Sequence, residues 1–90
     1  FTSHDVVNVV RKVLNTRKFQ REGNDCLIQV IISLTQVFDC YTIYKHTKFI
    51  GGWCDDKIRQ ETIEVENEKE AQKIYNDLIK EMNGYASVDR

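Results

Sequence analysis

Apolar side chains recur at Val6, Val9, Val10, Val13 and Leu14, the i, i+3, i+4, i+7, i+8 spacing of one helix face, with Thr2 or Ser3 placed as a cap. The spacing predicts a first helix over about residues 4 to 18, with Asn8, Arg11, Lys12, Asn15 and Lys18 on its outer face. Valine is a mediocre helix former, so packing would have to hold that stripe. Gly23, Asn24 and Asp25 break the pattern. Residues 26 to 38 fit two periods. With period 2, Ile28, Val30, Ile32, Leu34 and Phe38 share a face; with period 3.6, Leu27, Val30, Ile31, Leu34, Val37 and Phe38 do. The density of β-branched residues favours a strand, and the lack of a Gly or Asn-Gly turn before Tyr41 favours a helix. The strand is the expectation, with Ile28, Val30, Ile32 and Leu34 buried and Gln29 and Ser33 facing away.

Residues 41 to 50 are dense in Tyr, Thr, Ile and Phe and read as a strand; Gly51-Gly52 and residues 53 to 56 supply a turn. Residues 57 to 66 then alternate, with Ile63 and Val65 on one face and Thr62, Glu64 and Glu66 on the other, which closes a hairpin. Asn67 with Glu70 three residues on makes a capping box, and Ala71, Ile74, Tyr75, Leu78, Ile79 and Met82 mark the buried side of a last helix that Gly84 ends. The expected fold is α+β, one domain over residues 1 to 90: helix, two or three antiparallel strands, helix, with both helices packed on one face of the sheet. Double-stranded RNA-binding domains share that order. Their basic cluster at the last helix and their Gly-Pro-x-His loop are missing, since this helix begins Glu66-Asn67-Glu68 and the chain has no proline. Order alone implies no function.

At 90 residues there is room for one core, and a domain of this mass buries only about 64% of its unfolded surface, which disfavours a large enclosed active site. A formal charge of −1 disfavours histone-like and DNA-mimic roles. No apolar run is long enough for a bilayer span, and Phe1 opens no basic-then-apolar leader pattern, so a soluble, cytoplasmic protein with no membrane partner is expected. Residues with AT-rich codons far outnumber Gly, Ala, Arg and Pro, which fits an AT-rich genome such as that of a low-GC bacterium, a phage or a protist.

Three cysteines, Cys26, Cys40 and Cys54, read as reduced thiols: Cys26 and Cys40 beside apolar neighbours, Cys54 in a turn as the best exposed candidate. They lack the tight pairs of structural zinc sites, even with His46 as a fourth ligand, so no metal and no cofactor are expected. Charge is polarised along the chain. Residues 1 to 23 carry net +3 and residues 54 to 90 net −4. Arg11, Lys12, Arg17, Lys18 and Arg21 are the candidate phosphate contacts of a nucleic-acid binder. Tyr41, Tyr44, His46, Phe49 and Trp53 crowd rings into one stretch, and Asp55, Asp56, Glu61, Glu64, Glu66, Glu68 and Glu70 form an acidic one. No nucleophile–base pair, phosphate loop or metal spacing points to an enzyme. The favoured expectation is a non-catalytic inhibitor or adaptor that docks on a basic surface of a larger protein through Tyr44, Trp53, Asp55, Asp56, Glu64 and Glu66. Nucleic-acid binding through the basic first helix is the alternative. A homodimer is also expected, because a small sheet leaves unpaired edges.

Overall fold

The structure is a computed structural model that describes residues 11–23, 25–51 and 57–88. Its central strand is the segment with two competing periods. Period 2 wins: Leu27–Val37 is strand β2, with Ile28, Val30, Ile32 and Leu34 buried on one face and Gln29 and Ser33 on the other. Side chains alternate faces along a strand, so two neighbouring strands can extend this apolar row sideways. On one side β1 (Arg11–Glu22) pairs antiparallel with β2, setting Phe19 against Val30; on the other, β3 (Cys40–Ile50) sets Ile43 against Leu34.

Strand β4 (Ile58–Val65) pairs antiparallel with β3 and completes the expected hairpin. After it, Asn67 caps helix α1 (Glu68–Lys80), its side-chain oxygen accepting from the backbone N–H of Lys69 at 2.8 Å and of Glu70 at 3.3 Å. Ala71 and Tyr75 of α1 and Met82 beyond it join the core, with Ile74, Leu78 and Ile79 packed at its edge. Gly84 adopts φ +96° in the turn after the helix, a conformation glycine takes without penalty. The chain then returns as β5 (Ala86–Ser87), which pairs with β1 and completes a five-stranded sheet in the order β4-β3-β2-β1-β5.

The expected layout of two helices around two or three strands is therefore corrected: the described residues form a five-stranded antiparallel sheet with a single helix on one face. Where the first helix was expected, residues 11 to 18 belong to β1, and the rest of that stripe lies outside the described residues. The reason is physical. The eleven-residue β2 offers β1 a full ladder of backbone partners and an apolar row for Phe19, whereas an isolated valine stripe carries no helix-forming strength. A bulge between Val13 and Asn15 shifts the register, which lets Leu14 pack on the core while Val13 is left 59% exposed.

Candidate interaction groove on the open sheet face

Helix α1 covers β2, β3 and β4 on one face of the sheet, and the pairing register assigns every strand residue to that side or to the open one, which no element of the described residues covers although Thr35 and Thr42 are buried on it. The open face carries Arg11, Val13, Thr16 and Lys18 from β1, Ser33, Thr35 and Val37 from β2, Thr42, Tyr44 and His46 from β3, and Gln60, Thr62 and Glu64 from β4. Thr16 Oγ1 and Ser33 Oγ share a hydrogen bond of 2.8 Å across it.

At the end where β2 turns into β3 this face is hollowed into a shallow groove of about 500 Å³, lined by Arg11, Val37, Phe38, Cys40, Thr42, Tyr44 and Glu64. The Arg11 guanidinium lies over the Tyr44 ring, its carbon 5.3 Å from the centroid. Phe38 stands at the rim. Its backbone is left-handed, φ 55°, and its side chain is 68% exposed. An aromatic residue in that region is strained, at a cost on the order of 1 kcal/mol or more, and here no burial of the ring offsets it.

The same end of the sheet gathers acidic groups. Asp39 and Glu68 both act on Tyr41, whose phenol is pushed above its ordinary pKa by partial burial first and then by the Glu68 carboxylate, with Asp39 adding to the effect. Glu64 lies in the groove wall, and Glu66 follows β4 where that strand ends beside Tyr41.

Of the residues expected to contact a protein partner, Tyr44 and Glu64 thus line one groove, and Glu66 follows the end of β4. Trp53, Asp55 and Asp56 lie outside the described residues. The expected basic patch does not form one face. Arg11 and Lys18 project on the open side, while Lys12, Arg17 and Arg21 project on the helix side, because a strand sends neighbours to opposite faces. Arg17 stacks over Phe19 at 5.2 Å and donates to Ser87 Oγ at 3.4 Å; Arg21 stacks over Tyr85 at 5.1 Å. The sequence reading missed Phe38, assigned there to the buried face of β2. The left-handed turn it occupies has no Gly or Asn to announce it.

The cysteines also need correcting. Cys26 is disulfide-bonded, and Cys40, expected among apolar neighbours, is a free and exposed thiol in the groove. An odd count is compatible with one bridge and one spare thiol, so it was no argument for three reduced ones. Among the described residues no three His, Cys, Asp or Glu side chains lie close enough together to hold a metal ion, and no helix is long and apolar enough to cross a membrane. No family model, no curated protein and no solved structure matches this chain.

Proposed function

We propose that this domain is a non-catalytic protein-binding module whose open-face groove takes a basic segment of a larger protein. The observation that carries the reading is Phe38, an aromatic side chain held out into solvent by a strained backbone at the rim of a groove that already contains Tyr44 and Glu64. Exposed aromatic anchors of this kind dominate binding energy at protein interfaces. Asp39, Glu64, Glu66 and Glu68 at that end favour a partner carrying Lys or Arg, and the charge pattern would speed its association. The Cys26 disulfide fits folding in an oxidising compartment. Nucleic-acid binding draws less support, because the basic residues of β1 divide between the two faces.

A display library of peptides selected on the immobilised protein should converge on sequences with Lys or Arg flanking a large apolar residue. Phe38→Ala and Glu64→Lys should each weaken the selected peptide by about tenfold or more. Phe38→Gly should weaken it as much without lowering the melting temperature, since glycine relieves the left-handed strain. Selection that converges on nothing, or tight and salt-sensitive binding of DNA or RNA fragments, would reject the proposal.

A further inference from the structure

Among the described residues, nothing pairs with the outer edge of β4, and all of its residues from Ile58 to Glu64 are exposed. Two of them are large and apolar, Ile58 at 60% and Ile63 at 38%. An open strand edge is a template for another strand, and charged side chains usually guard it by spoiling most alignments. On β4 the charges spoil some alignments and select another.

The inner ladder fixes which backbone groups are free. Phe49 N–H donates to Lys57 O at 2.9 Å, and Phe49 lies next to Lys48, which faces Ile58. In an antiparallel ladder the bonded residues alternate, so Lys57, Arg59, Glu61 and Ile63 turn their backbone groups toward β3, and Ile58, Gln60, Thr62 and Glu64 turn theirs outward. A second copy of the chain, related by a two-fold axis through the sheet, can pair antiparallel with this edge and keep both helices on one side.

The possible registers differ in what lies at the axis. Centring on Arg59 sets Arg59 against Arg59, and centring on Glu61 sets Glu61 against Glu61; like charges directly opposite are unfavourable. Centring on Thr62 or Ile63 places no opposite charges face to face. Centring on Gln60 does so twice: Arg59 of each copy faces Glu61 of the other, in a non-hydrogen-bonded pair where side chains approach most closely. In the same register Gln60 exchanges backbone hydrogen bonds with its own copy, and Ile58 packs against Thr62.

We infer that β4 is a homodimerisation edge, pairing antiparallel with a second copy about Gln60 and locked by two Arg59–Glu61 contacts. The two charged contacts lie apart from the groove, since Arg59 and Glu61 project on the helix side of the sheet. A short strand pair buries little surface, so the dimer is a weak one that forms in the micromolar range or above.

Sedimentation equilibrium of the whole chain between about 10 and 500 µM should show a monomer–dimer equilibrium. Arg59→Glu should raise the dissociation constant about tenfold or more, and Glu61→Arg likewise. An equimolar mixture of the two variants should dimerise again, because each like-charge contact then becomes an opposite one. Glu61 also faces Lys45 within the monomer, so melting curves accompany both variants; Arg59 faces Thr47 and carries the test if Glu61→Arg is unstable. In a Cys40→Ser background, Gln60→Cys should form a linked dimer on oxidation with copper phenanthroline and Glu61→Cys should not. A monomer throughout the range, a dimer indifferent to Arg59→Glu, or linking through Glu61→Cys in place of Gln60→Cys would overturn the inference.

Discussion

Tyr41 shows how a single side chain senses the end of the sheet it occupies. It lies on the helix side of β3, half-buried, and burial together with the Glu68 carboxylate opposes loss of its proton. The sign follows directly. A phenol whose pKa is higher folded than unfolded stabilises the protein while it is neutral, and that contribution leaks away as pH rises past the unfolded value of about 10. An NMR titration that follows the Tyr41 ring should place its midpoint above the ordinary tyrosine value, and Glu68→Gln should lower it. If Glu68→Gln leaves the Tyr41 midpoint where it was, Glu68 is not acting on this ring. Phe38 is the opposite kind of residue, with its ring in water and its strain in the backbone, and only the fold shows it.

Among elements, β1 separates the two periodic readings most sharply. A helical stripe would bury both Val13 and Leu14, whereas the bulge in β1 exposes Val13 and turns Leu14 to the core. Val13→Ala should therefore change stability by no more than about 0.5 kcal/mol. Phe19→Ala, which empties a buried site against Val30, should cost about 3–5 kcal/mol. Urea unfolding of the two variants measures both, and a large loss at Val13 would contradict the strand. The hairpin of β3 and β4 and the capped helix α1 were legible in the sequence, since alternation, the Gly51-Gly52 break and the Asn67–Glu70 box are local signals, whereas β2 fitted two periods and only its β-branched density favoured a strand. Strand β1 was not legible: its faces read Arg11, Val13, Thr16, Lys18 against Asn15, Arg17, Phe19, Arg21, with almost no apolar contrast between them.

At the scale of the molecule, the described residues place one helix on a five-stranded sheet over a small core, built on residues such as Ile32, Leu34, Ile43, Ala71 and Tyr75. A domain of this size has limited burial to draw on, and the Cys26 disulfide supplements it. Reduction with dithiothreitol should lower the melting temperature by on the order of 10 °C, the size expected for a bridge that contributes about 2–4 kcal/mol in so short a chain. An unchanged melting curve would mean that the core alone holds the fold. The free Cys40 thiol predicts a different response, labelling by a thiol reagent without loss of structure.

Read alone, the sequence specified the hairpin of β3 and β4 and the capped helix α1, left β2 between two periods, and singled out Tyr44 and Glu64, which the fold brings into one groove. It did so because period and capping are written in neighbouring residues. The tertiary structure alone decided the rest. Whether residues 11 to 22 extend or coil depends on β2 being present as a partner, and which side Arg11 and Arg17 reach depends on a bulge that no local pattern announces. Tyr44, Glu64 and Arg11 are brought together by three pairings among four strands. Such contacts are set by the register of distant segments, and a register is a property of two strands together.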